Sequence, residues 1–294
     1  MTGIGVIGVG AMGAGIVTRL LAAGERVVVL GHRNRAPIEA AVAAGAVEAA
    51  SAADLAQRCG TILICVRDAE AAEATVARLS PHLTPGALVI DLGTAPPEVP
   101  QRLHAMLARQ GVAFAEAPVA GGVRQAAEGT LGALVGAEPA VFDRAGPILS
   151  RFCATVAHFG PPGAAATAKL LNNFMVIGMV ALIAETFSRA AAAGIDWGKL
   201  HAVAIRGAGD SAALRRIVPP AIEGDFGGYV FGIADAAKDL RYIRSLAETA
   251  GGMSDLGEAV EQVFSRAVAA GHGARRVSEL IAPDLRGLFV PDRS

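Results

Sequence analysis

Ile4-Gly5-Val6-Ile7-Gly8-Val9-Gly10-Ala11-Met12-Gly13 decides the architecture. Residues 4–7 form a short apolar run of the kind a buried strand requires. Glycines follow at 8, 10 and 13, and a helical period then runs over residues 12–23. In a strand–turn–helix of this spacing each glycine has a separate task. Gly8 makes the tight turn, Gly10 lets the backbone approach a pyrophosphate, and Gly13 lets the helix pack against the strand. Ala11 and Met12 fall in the first helical turn, where free N–H groups and the helix dipole favour an anion. The pattern follows a strand and opens a helix, which is the context that predicts a dinucleotide site.

Working outward, further apolar runs at 27–30, 61–66 and 88–91 read as buried strands, with helical spacing at 38–44 and 69–79 between them. Three more strands are expected at 113–116, 132–136 and 156–159. Alternating strands and helices predict a parallel sheet covered on both faces. After Gly160-Pro161-Pro162-Gly163 the pattern becomes helical only. One long helix is expected from 165 to about 193, closed by Gly194, then others at 197–205, 211–218, 232–249 and 255–270. The expected fold is α/β: a Rossmann-type parallel-sheet domain over 1–160, then an all-α domain over 161–294, joined by the long helix.

Composition agrees with two domains. The 294 residues fit roughly 100–200 per domain, and 53% apolar against 18% charged residues leaves ample core material. The net charge of −1, without a basic cluster, argues against nucleic acid or an anionic membrane surface as a partner. The longest uninterrupted apolar stretch, 174–184, is too short for a bilayer core of roughly 30 Å and reads as a buried helix. Cys59, Cys65 and Cys153 show no metal spacing and read as reduced, which implies the cytoplasm. The six histidines show no ligand spacing, so no metal is expected, and the acids scattered over the helices read as solvated faces.

The second strand bears on the choice of cofactor. An NAD site usually places an acid at its end for the ribose 2′-hydroxyl. Here the strand runs into Gly31-His32-Arg33-Asn34-Arg35, and the first acid is Glu39. Arg33 and Arg35 can pair with a 2′-phosphate and Asn34 can add a hydrogen bond, so NADP is expected in preference to NAD.

Met12 within the glycine loop and four later motifs in order resemble the β-hydroxyacid dehydrogenase family, which includes 3-hydroxyisobutyrate dehydrogenase, tartronate semialdehyde reductase and glyoxylate/succinic semialdehyde reductase. The motifs are Asp91-Leu92-Gly93-Thr94; Ala117-Pro118-Val119-Ala120-Gly121-Gly122 with Gly129-Thr130-Leu131; Lys169-Leu170-Leu171-Asn172-Asn173; and Lys238-Asp239-Leu240. The resemblance spans nearly the whole chain. It implies that Val66, Arg67 and Thr94 lie against the cofactor and that Lys238 reaches it from the second domain. It implies that the amides of Gly121 and Gly122 hold a substrate carboxylate, with Ala120 beside them. It also implies that Lys169 is the catalytic lysine, that Asn173 orients the substrate, and that Phe231 falls where a pocket aromatic often stands. A homodimer or higher oligomer is expected on the same ground. Three positions depart from the family pattern: Ala120 and Gly93 replace serines, and Ala165 replaces a glycine. The first puts the substrate's identity in doubt more than the reaction.

Lys169 and Asn173 are four apart, one turn on the same helix face, and that face continues through Val176, Ile177 and Val180. An ammonium on such a stripe loses hydration, which eases proton transfer near neutral pH. The expected activity is hydride transfer between NADP(H) and a small carboxylate-bearing β-hydroxyacid, semialdehyde or keto acid. Two alternatives stand beside it: an NADPH-dependent imine reductase, which generally lacks a lysine at this position, and a non-catalytic NADP-binding sensor. Arg124, Arg206 and Phe231 are candidates for substrate specificity.

Overall fold

The computed structural model describes residues 3–31, 34–249 and 251–290. They divide into two compact units, 1–170 and 171–294.

The first unit runs β1 (Gly3–Ile7), α1 (Ala11–Ala22), β2 (Val27–Leu30), α2 (Ala36–Ala43), β3 (Val47–Ala49), α3 (Ala52–Arg58), β4 (Cys59–Ile64) and α4 (Ala69–Leu79). It continues β5 (Leu88–Asp91), α5 (Glu98–Ala108), β6 (Ala113–Glu116), β7 (Val119–Ala120), α6 (Val123–Glu128), β8 (Leu131–Gly136), α7 (Pro139–Leu149) and β9 (Cys153–Gly160). The sheet order is β3-β2-β1-β4-β5-β6-β8-β7, with β9 beside β8. β1 and β5 are buried at every position. Unbroken apolar strands of this kind belong to a sheet with helices on both faces.

From β3 to β6 every pairing is parallel. β8 breaks the expected pattern by running antiparallel to β6 and β7, because the short link through α6 can join antiparallel neighbours without a crossover. The sequence reading also passed over β3, α3, α5 and α7. α5 starts among Pro96, Pro97 and Pro100. Pro100 is its third residue, where no main-chain donor is needed, and Val99, Leu103 and Leu107 form its buried stripe. α3 has seven residues, too few to show a period, and starts on a Ser51 cap.

One register row crosses the sheet: Leu30, Ile7, Ile64, Asp91 and Glu116 stand side by side at the carboxyl ends of β2, β1, β4, β5 and β6. In an open parallel sheet ligands bind just beyond such a row.

α8 (Ala164–Ala192) begins in the first unit and supplies the first helix of the second. At 29 residues it is long and apolar enough to cross a membrane by length and composition, a longer stretch than the 174–184 segment read from sequence. Ile177, Val180, Ala184 and Phe187 on one of its faces are buried as core. α9 (Trp197–Ala204), α10 (Ala212–Ile222), α11 (Ile233–Glu248) and α12 (Asp255–Ala269) follow, then 3-10 turns at Val277–Ile281 and Pro283–Leu288. Phe187 meets Trp197 edge-on with ring centroids 5.6 Å apart. Arg244 on α11 pairs with Glu261 on α12. α10 runs on through Pro219 and Pro220, past the end expected at 218.

Candidate active site

The glycine loop is built as its spacing requires. Gly8 has φ +94°, and a Cβ there would strike the Cys65 carbonyl at the end of β4. A Cβ on Gly13 would strike the Gly8 carbonyl. Gly10 differs: a Cβ there meets nothing within 4 Å. It is the exposed N-cap of α1, a helix with no side-chain cap and no acid in its first turn. Ala11 is exposed and Met12 half-buried. This N-terminus therefore offers uncapped amides and room for a phosphate group, which fits a dinucleotide.

At the end of β2, Asn34 and Arg35 are exposed; His32 and Arg33 lie outside the described residues. Arg35 is held by an acid from the neighbouring strand. Its two terminal nitrogens donate to Glu48 Oε1 and Oε2 at 2.7 and 2.8 Å, across the space a side chain on Gly31 would fill. The Glu48 carboxylate raises the pKa of Arg35, and the guanidinium's hydrogen bonds hold Glu48 below the usual carboxylate range.

Beyond β4, Val66 is half-buried and Arg67 exposed, 3.8 Å from Asp68. Beyond β5 the Asp91 carboxylate accepts from the Gly93 amide at 3.0 Å, turning the chain toward the half-buried Thr94. Burial pushes Asp91 up to about 6.

Beyond β6 comes the 117–122 loop. Ala120 is half-buried and pairs with Gly132. Gly121 is exposed with φ +122°. The Gly122 amide donates to Gln125 Oε1 at 3.0 Å, so a carboxylate taking that amide has to displace the glutamine.

Lys169 is buried, with 8% of its surface exposed. Leu170 on α8 is also buried. One turn on, Asn173 Nδ2 donates to Asp239 Oδ2 at 2.7 Å. A carboxylate only accepts, so it fixes the amide's orientation and leaves Asn173 Oδ1 as an acceptor. Asp239 is 2% exposed, and its Oδ1 lies 3.3 Å from Lys238 Nζ, which in turn stands 5.5 Å from the Tyr242 ring. Phe231 is half-buried and its carbonyl accepts from the Val277 amide at 2.8 Å. Arg206 is exposed, and Arg124 is exposed and paired with Glu128 at 3.1 Å.

The first unit thus brings the glycine loop, Arg35, Val66, Thr94 and the 117–122 loop to one end of its sheet. The second gathers Asn173, Asp239 and Lys238. Among the described residues three acids are buried: Asp91 and Glu116 at strand ends, and Asp239 on α11, which departs from the solvated helix faces expected. The available signal was position, since Asp91 and Glu116 each end a strand that is otherwise wholly apolar.

Cradle and sheet define a protein of the dinucleotide-binding class. Residues 3–160 match the family described as the NAD binding domain of 6-phosphogluconate dehydrogenase. Residues 163–283 match that described as NAD-binding of NADP-dependent 3-hydroxyisobutyrate dehydrogenase. L-threonate dehydrogenase of Cupriavidus necator is 31% identical over 95% of this chain and 94% of its own. NAD-dependent L-serine dehydrogenase of Pseudomonas aeruginosa is 29% identical over 95% of this chain and 96% of its own. The structure of Mycobacterium tuberculosis 3-hydroxyisobutyrate dehydrogenase with L-serine superposes with a TM-score of 0.87 at 27% identity, covering 96% of this chain and 98% of that one. The chain belongs to the β-hydroxyacid dehydrogenase family and carries its NAD(P)-dependent hydroxyacid dehydrogenase activity. These relatives favour that reading over the imine reductase and the non-catalytic sensor.

Proposed function

We propose that the chain is an NADP(H)-preferring dehydrogenase of a small β-hydroxyacid, with Lys169 as its general acid and base. The observation that carries the reading is a lysine buried on α8 one turn ahead of an asparagine whose amide is fixed by a buried carboxylate. When bound, the nicotinamide supplies or takes up the hydride. Lys169 gives its proton to the carbonyl oxygen during reduction and takes the hydroxyl proton during oxidation. Asn173 presents Oδ1 to the substrate hydroxyl and holds it in line with the lysine. Gly121 and Gly122 bind the substrate carboxylate through their amides, with Gln125 giving way. Ala120 leaves one hydrogen bond out of that site, which widens the range of acids it accepts.

The first turn of α1 holds the pyrophosphate, and Thr94, Val66, Arg67 and Lys238 contact the rest of the dinucleotide. Arg35, with Arg33 and Asn34, favours the 2′-phosphate: a guanidinium already paired fork-to-fork with Glu48 can exchange one bidentate anion for another. Three free cysteines suit the cytoplasm. Exposed Leu171, Met175 and Leu182 on α8 suit a second copy of the chain.

The test is initial rates of oxidation of L-serine, L-threonate and 3-hydroxyisobutyrate, and of reduction of semialdehydes and a cyclic imine, with each cofactor. The expected result is turnover of a carboxylate-bearing substrate with kcat/KM at least about tenfold higher for NADP(H), the worth of one charge-assisted contact. A preference for NAD(H) overturns the cofactor assignment. Turnover of imines alone overturns the reaction.

A further inference from the structure

Glu116 ends β6 immediately before the 117–122 loop and is 3% exposed. Its Oε1 accepts from the Gly163 amide at 2.6 Å and the Ala165 amide at 3.0 Å. Those are the residue before α8 and the second residue of α8. A helix start normally satisfies such amides with a serine, threonine or aspartate in its own N-cap. Gly163 has no side chain and cannot. With φ +100° it also holds a backbone conformation that residues with a side chain rarely adopt. The space for the Glu116 side chain comes from the opposite strand. Its register partner is Gly136, where a Cβ would collide with the carboxylate. Two glycines thus admit one acid that serves the helix from another element.

We infer that Glu116 is a positioning residue, whose carboxylate caps α8 from the end of β6 and so holds Lys169 in place relative to the 117–122 loop. The inference rests on reading Lys169 as the proton donor. Lys169 lies six residues after Gly163, within the second turn, so it moves with the helix start. The loop proposed to hold the substrate carboxylate starts one residue after Glu116. One side chain therefore ties the proton donor to the substrate anchor. Burial supports a dedicated role: it pushes this carboxyl up to about 7 against the pull of the Gly163, Ala166 and Ala165 amides, with Asp91 on β5 adding to the rise. A misplacement of about 1 Å at a reacting group can cost on the order of a hundredfold.

The experiment compares wild type with Glu116→Gln, Glu116→Ala and Lys169→Ala. It measures kcat, KM, NADPH affinity, active-site content, and the isotope effect with NADPH deuterated at the transferred position. Glu116→Gln retains an oxygen acceptor of the same reach but not the charge. Measured at about pH 8, where Glu116, raised to about 7, is ionised, its kcat is expected to fall by about three- to tenfold, the share of a hydrogen bond that charge assistance supplies. NADPH affinity should stay within about twofold and the isotope effect should rise. Faster hydrogen exchange at the Gly163 and Ala165 amides should accompany the loss. Glu116→Ala, if it folds, should lose at least tenfold more.

Unchanged kcat and exchange in Glu116→Gln overturn the inference even if the alanine variant does not fold. Loss of active-site content with an unaltered isotope effect also overturns it, because that is what a merely structural acid produces. If Lys169→Ala itself turns over normally, the reading of Lys169 fails and takes the inference with it. If Lys169→Ala is inactive and Glu116→Gln is not, only the inference fails.

Discussion

Arg35 and Glu48 face each other above Gly31, so the end of β2 presents an ion pair rather than a bare guanidinium. Arg35 is exposed at 50% and Glu48 half-buried at 33%, and pairs this open to solvent contribute little to stability. Exchanging Glu48 for a phosphate is then cheap for the fold. Two outcomes are expected in fluorescence titrations. Arg35→Ala should weaken NADPH binding by about tenfold and leave NADH within about twofold. Glu48→Gln should strengthen NADPH binding several-fold, with its melting temperature close to wild type. Equal losses for both cofactors in Arg35→Ala would remove Arg35 from the 2′-phosphate site. The arginine was legible in the sequence, but its partner was not. Glu48 sits 13 residues on, in a three-residue strand with only one buried position, and only the parallel register of β2 with β3 brings it alongside.

At the scale of elements, the turn from β1 into α1 separates what the fold needs from what a ligand needs. Gly8 and Gly13 are closed to a Cβ by backbone, while Gly10 is open. Gly10→Ala is therefore expected to melt within about 2 °C of wild type and to lose at least about tenfold in NADPH affinity, because the added methyl would intrude on the proposed pyrophosphate site. Gly8→Ala should be destabilised outright by strain at φ +94°. Thermal melts with NADPH titration distinguish the two, and an unaffected affinity in Gly10→Ala would contradict the phosphate site. Strands β1, β2, β4, β5 and β6 were readable because buried parallel strands are continuous apolar runs. β7 and α6 were harder, since two and six residues carry no period. α8 was readable in extent, start included, but the group that caps it was not. The cap lies 47 residues upstream in Glu116, and an acid after Ala113-Phe114-Ala115 looks on paper like a strand reaching solvent.

For the whole molecule, the two buried carboxyls at the sheet's end make a stability signature. Burial raises Asp91 from 3.8 to about 6 and Glu116 from 4.5 to about 7. The folded chain then holds protons that the unfolded chain releases. Their contribution is complete below about pH 4 and is lost as pH rises through 6 and 7. Wild type should therefore lose roughly 3–6 °C more in melting temperature between pH 5 and pH 8 than Glu116→Gln, whose amide does not titrate. Parallel melting curves for the two proteins would place Glu116 outside that titration. Sequence motifs named the proposed site residues of each unit, but such buried acids depend on which strand ends are covered, and that follows only from the packed sheet.

Lys169 carries the proposed proton transfer, and the most direct measurement is single-turnover hydride transfer by Lys169→Ala with NADPH bound. With NADPH affinity and melting temperature close to wild type, the rate constant for reducing a carboxylate-bearing carbonyl should fall by at least about a hundredfold, the lower range for a lost general acid. A rate within about threefold of wild type, well short of that range, would contradict the account and assign the proton to another group.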